Sequence, residues 1–226
     1  ILFWAVFKLN GSALNNWGDK YTDRELTGTA QQIGSNLVLT DTLIYKKDSV
    51  ALYDAAFRIQ KKDGKVVKVV DYPLYFRNVA PEKLPEEGGQ IYTWSANLSQ
   101  SINPSWVIML TPLVVAFFTY LRSRKKEPST PTKIAFGLLI SALSVLVMVA
   151  AVHIGNNGTE KVSVWWLVAN YGVITIGELF LSPMGLSVVS KLSPKNITAL
   201  MMGGWFLSTS IGNKLSGVLA SLWDTY

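Results

Sequence analysis

One apolar stretch constrains the fold of this chain more than any other. Residues 164–189 are long and apolar enough to cross a bilayer as a helix, yet an ionisable residue, Glu178, lies near the middle. A carboxylate at that depth is costly to insert, so it usually faces a water-filled cavity or a partner group. Pro183 removes a backbone donor about one turn later, which predicts a helix that bends easily. The alternative is a proline-kinked packing helix whose acid pairs with a neighbour.

The composition agrees with a membrane location. The chain has 226 residues, of which 49% are hydrophobic and only 16% are charged, which is too apolar for an ordinary soluble domain. There is no cysteine, which excludes a disulfide framework and thiolate chemistry, and the one histidine, His153, cannot form a His-rich metal site. We therefore expect no catalytic residues, no metal site and no cofactor.

The positive charge is concentrated beside the apolar stretches. Between Asp19 and Glu87 eleven basic residues balance eleven acidic ones, so the net charge of +6 belongs to the apolar remainder. Its main carriers are Arg122, Arg124, Lys125, Lys126, Lys133, Lys191 and Lys195. Basic residues that flank apolar spans indicate the cytoplasmic side of a membrane and not a nucleic-acid partner. The chain starts at Ile1 without a basic leader, so we expect a fragment cut from a longer polytopic protein.

The pattern along the chain predicts three regions. Residues 1–19 are expected to be a truncated transmembrane helix, residues 20–92 a soluble lobe, and residues 93–226 four transmembrane helices. The predicted spans are residues 1–18, 94–121, 133–154, 164–189 and 196–223. With the basic loops inside, the lobe is expected on the outer side of the membrane.

The lobe carries strand and turn signals. Asp63-Gly64 between two strand-like arms, within residues 57–72, predicts a hairpin. Residues 37–45 and 72–79 are predicted to be further strands, with Pro73 limiting the second to an edge or a strand start. Residues 81–89 read as a linker. The fold class is thus an all-α polytopic membrane protein with a small β-rich extramembrane insertion.

Several polar and aromatic residues within the spans have more than one interpretation. Lys8, four residues after Trp4, either has a function or snorkels to the interface. Asn103 beside Pro104 suits either a hydrogen-bonded packing contact or a ligand contact. Trp205 lies near a stripe of small residues that lets another helix approach closely, and it is either core or part of a cavity wall. The stripe consists of Ser208, Gly212, Ser216 and Ala220.

Together these motifs resemble one family, the proton-dependent oligopeptide transporters (POT/PTR) of the major facilitator superfamily. Gly177-Glu178-Leu179, the run Leu181-Ser182-Pro183-Met184-Gly185-Leu186-Ser187 and Lys191-Leu192-Ser193-Pro194 are similar to its tenth helix. Met201-Met202-Gly203-Gly204-Trp205-Phe206-Leu207-Ser208 with Gly212-Asn213 resembles the eleventh, Ile102-Asn103-Pro104 the eighth, and Phe3-Trp4-Ala5 with Gly11-Ser12 the seventh. The resemblance implies the family's C-terminal helix bundle, helices 7–11, with an extra lobe after the seventh helix.

The resemblance also implies roles for individual residues. Glu178 would receive the amino terminus of a peptide, and Asn103 would hydrogen-bond the peptide. Trp205, Ser208 and Trp4 would line the pocket, while Lys8, Glu178 and Pro183 are candidates for coupling or gating. Where the family usually has an acidic residue followed by Gln, this chain has Lys8-Leu9, which puts the usual proton route in question.

The leading hypothesis is proton-coupled symport of di- and tripeptides across the cytoplasmic (inner) membrane by alternating access. Its partners would be short peptides, protons, the lipid bilayer and the missing N-terminal half of the same transporter. One alternative is a carrier of a non-peptide substrate, or one with altered ion coupling, because of Lys8. Another is a membrane-embedded receptor or binding protein that uses the lobe. Enzymatic activity and nucleic-acid binding are not expected.

Overall fold

The protein is built mainly from helices. The computed structural model describes residues 1–54, 57–95 and 98–222, with all of their side chains except that of Asn10. The α-helices are α1 (Leu2–Lys8), α2 (Ala13–Tyr21), α3 (Gly28–Asn36), α4 (Ser99–Ser123), α5 (Thr130–Ile154), α6 (Trp165–Leu192) and α7 (Thr198–Ser221).

Three of these helices, α4, α5 and α6, combine the length and apolarity needed to cross a membrane. Their mean hydropathies are 1.7, 2.6 and 1.6, and they correspond to three of the five predicted spans. Within the described residues, the other two predicted spans, residues 1–18 and 196–223, contain no helix that is both long and apolar enough to cross a membrane by this measure. The predicted last span corresponds to α7, which is 24 residues long but is not apolar enough to meet this standard, and its expected end at Trp223 lies outside the described residues.

Small residues let the long helices pack closely. A Cβ atom on Gly137 of α5 would lie only 2.9 Å from the carbonyl oxygen of Gly177 in α6, so no larger residue fits at this crossing. Helix α4 packs on α6 through Trp106, whose indole N–H donates to the carbonyl of Val168 at 3.0 Å. The predicted small-residue stripe of α7 faces α1, because Gly212 lies against Trp4.

The first predicted span is not one continuous helix. Helix α1 ends at Lys8, a 3-10 turn covers Leu9–Gly11, and α2 starts only after Ser12, whose backbone angles are φ −131° and ψ −89°. The prediction of a single helix over residues 1–18 is therefore wrong. Asn10, Gly11 and Ser12 are weak helix formers, which explains why the break falls there.

The described part of the lobe contains short strands that pair two at a time, one α-helix and two 3-10 helices, so the description as β-rich is too simple. The strands are β1 (Thr22–Asp23), β2 (Thr40–Ile44), β3 (Asp48–Ala51), β4 (Lys61–Lys62), β5 (Lys65–Val66), β6 (Lys68–Asp71) and β7 (Gln90–Trp94), with β8 (Val162–Ser163) after α5. Strands β2–β7, β3–β6 and β4–β5 pair antiparallel.

Two predictions for the lobe are confirmed and one is wrong. The hairpin turns at Asp63-Gly64, where both residues have positive φ as a type I′ turn requires, and β2 lies within the strand predicted for residues 37–45. Residues 72–79 do not form a strand. After Pro73 the chain winds into the 3-10 helix Leu74–Asn78, which buries Tyr75 and Phe76 in the lobe.

A short parallel pairing joins the lobe to the bundle. Strand β1 follows α2 directly and pairs with β8 in the loop between α5 and α6, with Thr22 opposite Val162. We call this junction, formed by residues 19–24, 75–78 and 158–163, the seam. The seam connects the end of the first, broken helix to the start of α6.

Candidate functional site

The candidate site lies on one face of α6. Ser182 and Gly185 follow Glu178 by four and seven residues, so at 3.6 residues per turn all three lie within about 60° of one another. Gly185 contacts the indole of Trp205 so closely that no Cβ atom would fit. The Glu178 face of α6 is therefore turned towards α7.

One carboxylate oxygen of Glu178 accepts no hydrogen bond from the described residues. Its Oε2 atom is fully buried and receives no hydrogen bond from any described residue, and the same holds for the Ser182 hydroxyl one turn later. Buried polar atoms are almost always paired, so an orphaned carboxylate oxygen needs a specific explanation. A carboxylate accepts hydrogen bonds only, so the group that satisfies it must be a donor or a cation.

Lys8 is the charged neighbour of Glu178. It is the last residue of α1, its side chain is exposed, and it interacts electrostatically with Glu178. The two do not form an ion pair, since within the described part of the chain no contact of 4.0 Å or less joins them. The Lys8 ammonium instead lies 5.8 Å from the centre of the Phe7 ring. An acid and a base thus lie near each other without neutralising each other directly.

Aromatic side chains form the wall beside these charges. Trp4 and Trp205 both pack against the buried cluster of α1 and α6, which contains Phe3, Phe7, Ile174 and Leu181. The Trp4 ring meets Phe3 at 5.1 Å and Phe7 at 5.9 Å between centroids. Both indoles are partly buried, so each combines core packing with an accessible edge. The structure thus brings the predicted residues Trp4 and Trp205 to the same side of α6 as Glu178.

Asn103 lies on α4 and is tied to α6. The Thr175 hydroxyl lies 2.7 Å from Asn103 Oδ1 and 2.6 Å from the carbonyl of Tyr171, and its single proton serves one of these acceptors at a time. Thr175 is completely buried and lies three residues before Glu178. The hydrogen-bonded packing role expected for Asn103 is therefore present, while its amide donors remain for another group.

Ser208 and Pro183 have less direct connections to the site. The Ser208 hydroxyl donates to the carbonyl of Trp205 at 2.7 Å, a bond within α7 that leaves its oxygen as an acceptor. Pro183 is exposed, and α6 stays helical across it from Trp165 to Leu192. A bend at Pro183 stays a prediction.

The contacts of three site residues were not predicted from the sequence. Thr175 and Ser182 are ordinary hydroxyl residues in an apolar helix, and Gly185 has a role only because Trp205 lies against it. Ser182 could have been found by helical spacing, since it follows Glu178 by one turn. The contacts of Thr175 and Gly185 depend on other helices and have no local signal.

These features define a multi-pass helical membrane protein with an unpaired acid inside its helix bundle. A family model described as "POT family" matches residues 86–226, more than half of the chain. The chain therefore belongs to the POT family, and the family resemblance seen in the sequence motifs is confirmed. The members of this family are peptide transporters and not enzymes.

Individual relatives agree with this assignment. The chain is 36% identical over 123 residues to dipeptide and tripeptide permease A of Proteus mirabilis, covering 54% of this chain and 24% of the relative. It is 38% identical over 121 residues to peptide transporter YePEPT of Yersinia enterocolitica, covering 53% and 24%. The matched stretch is thus about a quarter of the length of these relatives.

Solved structures show the same fold. The crystal structure of peptide transporter POT in complex with sulfate superposes with a TM-score of 0.60 at 25% identity, covering 100% of this chain and 32% of that one. A POT family transporter in complex with a thioalcohol-conjugated peptide gives a TM-score of 0.61 at 24% identity, covering 99% and 33%.

Proposed function

We propose that this chain forms part of a proton-coupled symporter of di- and tripeptides. The observation that carries the proposal is the buried, unpaired Oε2 atom of Glu178. An unpaired carboxylate oxygen on the α7-facing side of α6 is a suitable acceptor for the ammonium group of a peptide. Peptide transport by members of the family supports this choice of cargo.

The neighbouring residues have the chemistry to hold a short peptide around that anchor. The Asn103 amide can donate to a peptide carbonyl while its oxygen stays bonded to Thr175. Trp4 and Trp205 provide apolar walls for side chains of varied size, and the Ser208 oxygen can accept a peptide N–H. Pro183 weakens α6 one turn after Glu178, which suits a gating movement.

We further propose that the site is completed by an N-terminal half of the transporter, since the chain matches only about a quarter of the length of each of these relatives. The protein would lie in the cytoplasmic membrane with residues 20–92 outside. The ion-paired loop between α4 and α5 would then be inside, with Glu127 bonded to Arg122 at 2.7 Å and to Lys133 at 2.5 Å. Its basic excess supports that orientation.

Uptake measurements on the full-length polypeptide test the proposal. Reconstituted in liposomes with an inward proton gradient, it should accumulate labelled dipeptide, and Glu178→Gln should abolish or severely impair uptake without loss of folded protein. Glu82→Gln, an exposed acid of the lobe, is the matched control and should transport normally. Uptake by Glu178→Gln at the wild-type rate from about pH 5 to pH 8 would show that Glu178 is structural.

The exposed Lys8 ammonium favours a second candidate, a carrier with altered ion coupling or a non-peptide cargo. An ammonium near Glu178 disfavours a second cation there and favours a cargo that brings its own negative group. Lys8→Glu, which restores the charge sign usual in the family, separates the two. If the first candidate is right, the wild type already couples peptide to protons. If the second is right, only Lys8→Glu does so.

A further inference from the structure

Lys161 occupies the centre of the seam. Its ammonium nitrogen lies 3.2 Å from the carbonyl oxygen of Lys20 at the end of α2 and 3.3 Å from that of Thr22 in β1. The face of the Tyr75 ring lies 4.1 Å away, so the lobe covers the amine from a third side. One lysine therefore contacts the broken first helix, the lobe and the loop that leads into α6.

Asn78 strengthens the same junction. Its side-chain amide donates to the carbonyl of Lys20 at 3.1 Å and to that of Gly158 at 3.5 Å. The backbone carbonyl of Asn78 accepts the backbone N–H of Lys161 at 3.2 Å. Together with the pairing of β1 and β8, these bonds hold three segments in one arrangement. Separation of the seam would break them together and expose Lys161 to water.

The nearby charges do not neutralise Lys161. The titratable and charged groups around it come from α2, from β1 and the two residues after it, from the two 3-10 helices of the lobe, and from its own loop. They are Asp19, Lys20, Asp23, Arg24, Glu25, Tyr75, Lys83 and Glu160. Among the described residues no carboxylate forms an ion pair with Lys161.

The two carboxylates that favour the charged form of Lys161 already have partners. Asp19 binds Arg24 at 2.6 Å, and Asp23 accepts from the Tyr75 hydroxyl at 3.2 Å and pairs with Lys83 at 3.4 Å. Burial disfavours the ammonium form of Lys161, and the Arg24 guanidinium adds repulsion. The pKa of Lys161 is consequently lowered to about 7, although Asp23 and Asp19 oppose the shift.

We propose that Lys161 is a proton-operated positioning residue, which leaves the seam closed while its amine is neutral and favours opening once the amine is protonated. The direction follows from linkage. In an open seam the amine is hydrated and has the ordinary lysine pKa of about 10.4, so the closed state binds fewer protons than the open state. Acid therefore favours the open state, and the closed state gains as pH rises.

The consequence is a seam that responds to pH at the lobe end of the bundle. With a closed-state pKa near 7, the ratio of open to closed molecules should increase about tenfold between about pH 8 and pH 6, and level off below that. Opening would free the end of α2 from the start of α6. This inference concerns the seam itself and holds whichever cargo the Glu178 site accepts.

A distance measurement across the seam tests the inference. Spin labels are attached at Ala80→Cys in the lobe and Thr159→Cys in the α5–α6 loop, both exposed, in the full-length polypeptide without other cysteines. Pulsed electron paramagnetic resonance in lipid nanodiscs then gives the open fraction against pH. The wild type should show the tenfold change, Lys161→Met should stay closed at every pH, and Lys161→Arg should stay open.

Lys65→Met is the matched control, because Lys65 is an exposed lysine of β5 in the lobe and lies outside the seam, and it should keep the wild-type pH response. A wild-type distance that does not change with pH overturns the proposal. A wild-type pH response that persists in Lys161→Met also overturns it. These readouts need no transport, so failure of peptide uptake would contradict the proposed function without affecting this one.

Discussion

Lys8 and Glu178 should be energetically coupled, and the structure bounds the size of the effect. No ion pair of 4.0 Å or less joins them among the described residues, which excludes the coupling of about 4 kcal/mol expected for direct contact at an effective dielectric constant of about 20. At about 6 to 10 Å the same relation gives about 2 to 3 kcal/mol. If a water-filled gap wider than about 8 Å separated them, screening would leave little coupling.

Coupling of this size should appear in peptide affinity. Lys8⁺ stabilises the charge of Glu178 in the empty site and repels an arriving ammonium group, so Lys8 acts as an internal substitute for the amino group of the cargo. Lys8→Met should therefore tighten peptide binding more where Glu178 is present than in the Glu178→Gln background, where only the repulsion is removed. The difference should correspond to roughly 30- to 150-fold in affinity.

A double-mutant cycle measures this coupling directly. Peptide affinity and uptake are determined for the wild type, Lys8→Met, Glu178→Gln and the double variant of the full-length polypeptide. Lys214→Met, an exposed lysine of α7, serves as the control in place of Lys8→Met and should show no coupling to Glu178. Strictly additive effects of Lys8→Met and Glu178→Gln would refute competition between the lysine and the cargo.

Two further predictions concern packing and the loop ion pairs. Gly185→Ala should displace the Trp205 indole, lower the stability by about 1 to 3 kcal/mol and impair uptake. Gly217→Ala is the control, because a Cβ atom there meets no other atom, and it should change neither stability nor uptake. Equal melting temperatures and equal uptake for the two variants would contradict this prediction. Hydrogen bonds from Arg122, and to a lesser extent from Lys133, lower the pKa of Glu127 to about 2. Ionised Glu127 should therefore stabilise the folded protein fully above the ordinary glutamate pKa of about 4.3, and this stabilisation should be lost as pH falls towards 2. Thermal melts should show that Glu127→Gln lowers the melting temperature at neutral pH while Glu82→Gln does not, and no difference would mean that the ion pairs are unimportant.

Features that depend on local sequence were predictable. The apolar runs of α4, α5 and α6 are long enough to be recognised alone, and Asp63-Gly64 specifies its own turn. Glu178 was found because an acid within an apolar span is conspicuous wherever its partners lie. Each of these signals is contained in fewer than thirty consecutive residues.

Features that depend on distant residues were not predictable. The bond between Thr175 and Asn103 joins residues 72 positions apart, and the contact of Trp205 with Gly185 exists only after α6 and α7 pack. The break before Ser12 lies among residues that form helices weakly. Their helix propensities cost so little free energy that tertiary packing decides whether the helix continues or breaks. Residues 72–79 looked like a strand because their aromatic residues have high strand propensity, but burial of Tyr75 and Phe76 determined the conformation.

The lobe provides a last test, because its contacts with the bundle are confined to one end. The packing of α1 on α7, of α5 on α6 and of α4 on α6 involves no lobe residue. Joining Arg24 to Glu87 with a short Gly/Ser linker, and so removing residues 25–86, should therefore leave peptide uptake largely unchanged at a fixed pH.

The same deletion should alter the pH response, since it removes Tyr75 and Asn78 from around Lys161. The amine would then be hydrated in every state and regain an ordinary lysine pKa, and protonation could no longer favour opening. Uptake by the deletion variant and by Lys161→Met should consequently share one pH profile, less steep than that of the wild type. Loss of uptake by the deletion variant despite normal membrane insertion would instead mean that the lobe captures the cargo or binds a partner, because nothing in the packing of the helices requires it.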